Sequence, residues 1–178
     1  MKKICTLCLA LMLALGLAAC SSSDEELVSK TPFPEFSELD TQGNTVTNDI
    51  FGEYDATILN FWNNGCGTCI EEMPELEEYY QEFQEQNINL IGVASDSGES
   101  EDQLKTAQEI LEKKGVTYTN LSPDPDQALY QDFISQLAGY PTTYVVDREG
   151  NIIGSAIVGN VKAQEDTLKA RLEMAMGD

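Results

Sequence analysis

The sequence predicts an α/β domain whose mixed sheet is covered on both faces. Three observations carry this expectation. Apolar runs of strand length, "ATILNFW" (56–62) and "INLIGVAS" (88–95), each feed a segment with helical spacing of apolar residues, as parallel βαβ units do. Near the carboxyl end, "TTYVVD" and "IIGSAIVG" flank the turn "REGN", an antiparallel hairpin signal. A segment of helical period, 161–176, closes the chain.

The elements follow in order. "MKKICTLCLALMLALGLAAC" has two lysines, then sixteen uncharged residues from Ile4 to Ala19, then Cys20. A basic start before a short apolar core reads as a secretory signal, and the core falls short of the roughly 20 residues a spanning helix needs. "LAAC" resembles the bacterial lipobox, which implies lipidation of Cys20. The expected boundaries are a signal over 1–19, a lipidated Cys20 with a flexible acidic tether to 31, and one domain over 32–178. "FSELDTQGNTVTND" places Gly43-Asn44 after one short segment and before another, an amino-terminal hairpin. Residues 67–86 form a helix with Met73, Leu76, Tyr80 and Phe83 in phase and a kink at Pro74. Residues 101–114 form a second, with Leu104, Ala107 and Leu111 inward, closed by Gly115. "VTYTNL" (116–121) reads as a short strand, and 126–137 as a helix with Leu129, Phe133 and Leu137 inward.

Composition removes several function classes. Ten Lys and Arg face 31 Asp and Glu, and there is no histidine. Loss of Lys2 and Lys3 with the signal leaves 8 − 31 = −23. Such a surface disfavours nucleic acid and anionic headgroups. Without histidine, Ser-His-Asp and Cys-His catalysis and imidazole metal sites are excluded within the chain.

Of five cysteines, Cys5 and Cys8 leave with the signal and Cys20 is the lipidated one, so Cys66 and Cys69 remain as thiols. They stand where a buried strand feeds a helix. Unpaired amides and the helix dipole there favour a thiolate at Cys66, and the spacing lets Cys69 reach it from the same first turn. Cys66 can then attack a disulfide and Cys69 can resolve the mixed species. A structural loop and half of a metal site are the alternatives. The loop is short for a stabilising bridge, and a closed zinc site needs four ligands.

The resemblance is now specific. "LNFWNNGCGTCIEEMPEL" and "GYPTTYVVDREGNII" resemble the active-site segment and cis-proline loop of thioredoxin-fold proteins. "FPEFSELDTQGNTV" resembles the amino-terminal hairpin of their TlpA/ResA-like lipoprotein branch, in the redoxin superfamily that also holds the peroxiredoxins. The likeness covers 33–176, with 101–121 as an insertion between the CxxC helix and the cis-proline loop. It implies a thioredoxin-like fold, Cys66 as nucleophile, Cys69 as resolving thiol and Glu72 as a buried acid that helps proton movement. It also implies that Tyr140 and cis-Pro141 pair with an extended substrate. Trp62 reads as a core aromatic or as one lining the site against substrate. No cofactor beyond the Cys66–Cys69 disulfide is implied. Asn60 stands where simple thioredoxins carry a buried aspartate. Gly65 and Thr68 depart from the common residues around the cysteines.

The function expected is a membrane-tethered thiol–disulfide oxidoreductase of the bacterial envelope, outside the cytoplasm. The resemblance implies substrates such as apocytochrome c or methionine sulfoxide reductase, and a membrane electron donor of CcdA/DsbD type. A thiol peroxidase and a non-catalytic binding lipoprotein are the competing readings. A peroxidase would need a threonine at Asn63 and an arginine, for which only Arg148 and Arg171 stand available. No lysine or arginine occurs from 31 to 104, against seventeen acids. The expected Cys66 pKa is therefore near an ordinary thioredoxin's rather than a strong oxidant's.

Overall fold

The computed structural model describes residues 30–177. The signal, Cys20 and most of the tether lie outside the described residues. Nine strands and three α-helices alternate, beginning with β1 (Lys30–Pro32), β2 (Ser37–Asp40), β3 (Thr45–Thr47) and β4 (Ala56–Trp62). Then come α1 (Gly67–Gln84), β5 (Ile88–Ala94), α2 (Glu101–Lys114), β6 (Asn120–Ser122), β7 (Thr142–Asp147), β8 (Asn151–Ile153), β9 (Ile157–Val158) and α3 (Glu165–Met176). One sheet holds all nine strands, in the order β1-β8-β7-β4-β5-β6-β2-β3, with β9 beside β7. β4, β5 and β6 are parallel neighbours; β7 runs antiparallel to β4. The mixed α/β sheet and the amino-terminal hairpin are as the sequence predicts.

Both central strands are buried along their whole length, which is why they read as unbroken apolar runs rather than alternating ones. Ala56 and Ile58 of β4 and Ile88 and Leu90 of β5 pack under α1 and α3, against Leu76, Tyr79, Phe83, Leu168 and Leu172. Trp62, Met73, Ala94, Ala107 and Leu111 continue that layer under α2. Leu59, Phe61, Ile91 and Val93 point to the other face, where Phe33, Phe36 and Phe51 cover them without a regular α-helix. The cover there is aromatic side chains in edge-on contact, Phe33–Phe51 at 5.6 Å between centroids.

Several elements differ from expectation. Lys30 and Thr31, assigned to the tether, form an edge strand with β8, and Lys30 Nζ lies 3.4 Å from the buried Asp147 carboxylate. The insertion's strand starts at Asn120 rather than 116, because Tyr118 turns into the core first. Its strand β6 joins the βαβ strands to the hairpin, parallel to β5 and antiparallel to β2. Residues 126–137 are not one α-helix: a π-helical turn, Leu129–Phe133, runs into a 3₁₀ turn, Ile134–Gln136. A π turn lines up residues five apart, so Leu129 and Ile134 are the buried pair. "IIGSAIVG" is split into β8 and β9 at Gly154, whose φ is 69° and against which the Arg171 guanidinium packs. Arg171 Nη1 donates to the Ile153 carbonyl at 3.1 Å.

Candidate active site

The site lies at the carboxyl ends of the parallel strands β4 and β5. β4 ends at Trp62, and Cys66 N donates to Asn63 O at 3.1 Å, closing a tight turn that delivers Cys66 as the N-cap of α1. Cys66 and Cys69 are joined in a disulfide with Cα atoms 5.3 Å apart. Cys69 N donates to Cys66 Sγ at 3.2 Å, so an amide of the helix's first turn is already aimed at this sulfur. The two sulfurs differ in access: Cys66 is half-buried, whereas Cys69 is 1% exposed. The outer one can be reached by a protein substrate and the inner one cannot.

Glu72 lies one helical turn past Cys69 and is buried. Its Oε1 accepts from Asn60 Nδ2 at 3.1 Å, and its Oε2 accepts from the Val161 amide at 3.1 Å. Asn60 Nδ2 also donates to Thr143 Oγ1, its cross-strand partner on β7, at 3.0 Å. Burial raises the carboxyl's pKa, and the two hydrogen bonds oppose that rise. The position of the thioredoxin aspartate and the acid on α1 are thus two ends of one hydrogen bond. The signal for a buried Glu72 was in the sequence: it falls between Cys69 and Leu76 on the apolar stripe, unlike Glu71 and Glu78.

Tyr140-Pro141 is a cis peptide bond. Pro141 is buried, Tyr140 is half-buried, and Tyr140 and Cys66 pack against the same cluster. The ladder between β7 and β9 begins at Thr142↔Val158, so Tyr140 lies outside it. Trp62 requires a correction. Of its two expected places, core or substrate-lining, the structure gives the core: it is 1% exposed and packs with Cys69, so the substrate-binding assignment falls. Its Nε1 donates to Asn120 Oδ1 at 2.9 Å. Asn120 sits on β6, two strands from Trp62, and reaches it across Gly92, where any Cβ would collide with the Asn120 amide. Arg148 pairs with Asp55 near the opposite end of β4, and Arg171 is held at Ile153 and Ser155. Among the described residues no cluster of three or more Cys, Asp or Glu side chains converges as a metal site would.

Sequence reading missed one feature of the site. Asp96, just past β5, accepts the Asn64 amide on both carboxylate oxygens, at 3.1 and 3.0 Å. The Asn64 side chain in turn donates to Gln103 of α2, at 3.0 Å to its carbonyl and 2.9 Å to Oε1. Only an exposed-looking "SDSGES" run marks Asp96 in the sequence; the contact is made across 32 residues.

The model of the AhpC/TSA family matches residues 30–155. The chain is 27% identical over 149 residues to thiol-disulfide oxidoreductase ResA of Bacillus subtilis, covering 82% of this chain and 78% of that protein. It is 29% identical over 116 residues to ResA of Geobacillus thermodenitrificans, covering 65% of this chain but only 60% of that relative. A thiol:disulfide interchange protein of the thioredoxin family from Chlorobium tepidum superposes with a TM-score of 0.65 at 24% identity, over 84% of this chain and 98% of that one. A DsbF homologue from Corynebacterium diphtheriae superposes with a TM-score of 0.65 at 19% identity, over 89% and 99%. These structural likenesses establish a thioredoxin-like fold.

Proposed function

The chain belongs to the AhpC/TSA family, and from that premise we propose that it is a thiol–disulfide oxidoreductase of the ResA/DsbE type. It reduces disulfides of envelope proteins while tethered outside the cytoplasm through a lipid on Cys20. The carrying observation is the asymmetric pair: an accessible Cys66 at a helix N-terminus, joined to a buried Cys69.

In the reduced form the Cys66 thiolate attacks one sulfur of a substrate disulfide. The substrate S–S bond breaks, one substrate sulfur leaves as thiolate, and a mixed disulfide forms. Cys69 passes its proton to the Glu72 carboxylate and attacks Cys66 Sγ, expelling the second substrate sulfur. Two electrons have moved to the substrate, and the pair is left as the disulfide seen in the structure. A dithiol donor must then reduce it again; a membrane carrier of CcdA/DsbD type is the class the family resemblance suggests. Tyr140, outside the β7–β9 ladder and beside cis-Pro141, offers backbone groups to an extended substrate. Apocytochrome c and methionine sulfoxide reductase are the substrates to test first.

A thiol peroxidase is less well supported, since Asn63 replaces the needed threonine and neither Arg148 nor Arg171 stands at Cys66. Among the described residues no helix is long and apolar enough to cross a membrane. The test uses the full-length Cys69→Ala variant in its native envelope, where adducts linked through Cys66 are expected to accumulate. Absence of adducts, with no insulin reduction by the wild type, would overturn the exchange role. Detergent-phase partitioning that survives Cys20→Ala would overturn the tether.

A further inference from the structure

We propose that Asp96 is a positioning residue for the exchange reaction: it clamps the turn that presents Cys66 and keeps a negative charge beside it, disfavouring the thiolate. The proposal rests on the exchange role above. Asn64 is the second residue of the Asn63–Cys66 turn, and both oxygens of Asp96 bind its amide. That amide donor is thereby withheld from the cysteine end of the loop. The other tie on the turn is neutral, from the Asn64 side chain to Gln103.

The surroundings leave the charge unanswered. On its own turn Asp96 faces Glu99, and from the irregular helix Tyr130 approaches, its hydroxyl 3.4 Å from Glu99 Oε1. From α2 comes Gln103, and from the active-site turn the Asn64 amide. From 31 to 104 the sequence holds no Lys or Arg, and Lys105, the next base on α2, is paired with Glu109 at 3.8 Å. Burial raises the Asp96 carboxyl, the Asn64 amide lowers it, and Glu99 adds to the rise. Asn64, held by the carboxylate, is two residues from Cys66 in a closed turn, so by backbone dimensions their Cα atoms lie within about 7 Å of each other. A partly buried charge held against that turn still shifts a thiol. A thiolate held less comfortably makes the dithiol form less stable and the pair a better electron donor.

Two variants separate charge from clamping. In the reduced full-length protein in detergent, the Cys66 pKa is read from thiolate absorbance and from alkylation rate against pH. The dithiol–disulfide equilibrium is read against glutathione. Asp96→Asn keeps an acceptor for the Asn64 amide and removes the charge. It is expected to lower the Cys66 pKa by about 0.3–1 unit and to move the glutathione equilibrium about two- to tenfold toward the dithiol. Gln103→Ala removes the neutral tie and is expected to leave the pKa in place while raising the KM for a protein disulfide. Should Asp96→Asn fail to fold, Asp96→Ser carries the same expectation. An unchanged or raised pKa in the Asp96 variant, or an equal fall in both variants, would overturn the proposal. Thiol titration needs no turnover, so this failure is distinct from a failure of the exchange role.

Discussion

Glu72 is one of five glutamates between Glu71 and Glu78, yet it is the one whose carboxylate is sealed in the core. Its folded-state pKa lies above the ordinary value because burial disfavours the charge. The native state therefore holds this proton to higher pH than the unfolded chain does. Stability is complete below the unfolded pKa of about 4.3 and declines as pH rises through the folded one. Glu72→Gln should flatten that decline, read as urea midpoints at pH 4.5 and pH 8 with unchanged slope. Glu38 and Asp96 are raised the same way, so part of the slope will remain. The same variant cannot accept the Cys69 proton. Resolution of a Cys66 mixed disulfide should slow about a hundredfold at neutral pH, measured by single-turnover quenching. A pH-dependent stability identical to wild type, with unchanged resolution, would remove Glu72 from the mechanism.

The Trp62–Asn120 bond shows how an inserted element reaches the site. α2 and β6 belong to the stretch between the CxxC helix and the cis-proline loop, yet β6 supplies the acceptor for the indole beneath the disulfide. The Asn120 side chain reaches across β5 because residue 92 is glycine. Asn120→Ala leaves a buried indole N–H without a partner and should cost about 1–3 kcal/mol. Gly92→Ala drives a methyl into the same amide and should cost a similar amount, about 1–3 kcal/mol. The double variant should cost clearly less than the sum, since truncating Asn120 makes room for the methyl. Trp62 is the only tryptophan, so its emission follows both unfolding and site rearrangement. Additive losses would mean that the two residues do not act on one contact. At this scale the sequence was readable where period and burial agree. β4, α1, β5, α2 and β7 lie within a residue or two of their expected ends, since each is a long run with one dominant face. It was unreadable where the pattern fits two geometries. Leu129, Phe133 and Leu137 have α-helical spacing, but Leu129 and Ile134 fit the core better, and a π turn serves them. The Arg171–Gly154 packing that splits the last strand, and the clamp of Asp96 on Asn64, join residues 17 and 32 apart. No local pattern encodes such contacts. Cys66, Cys69 and cis-Pro141 were legible because they sit in short motifs, whereas Trp62 was left between core and site lining because an aromatic before such a motif fits either a wall or a floor.

As a thiol–disulfide oxidoreductase, the molecule must collide with folded or unfolded polypeptides, and its charge sorts them before any sulfur meets. The active-site turn, α1 and the start of α2 all fall within the span that has seventeen acids and no base. Exposed Glu71, Glu78 and Glu82 lie along α1, and Glu101 and Asp102 open α2. Most of the ion pairs found lie elsewhere, on α3 and at the Asp55 and Asp147 ends of strands. The field around Cys66 is thus negative, and a field of one sign changes encounter rates rather than the chemistry that follows. Two peptide disulfides of equal length, one flanked by lysines and one by glutamates, should differ in their second-order rate with the reduced protein. At about 10 mM salt the lysine peptide should react on the order of tenfold faster. Near 0.5 M salt, where the Debye length has shrunk to about 4–5 Å, the two rates should converge. The rate of mixed-disulfide formation under excess peptide gives both numbers. A salt-independent ratio would place the preference in direct contacts, and no preference at low salt would mean that the acidic surface serves solubility alone.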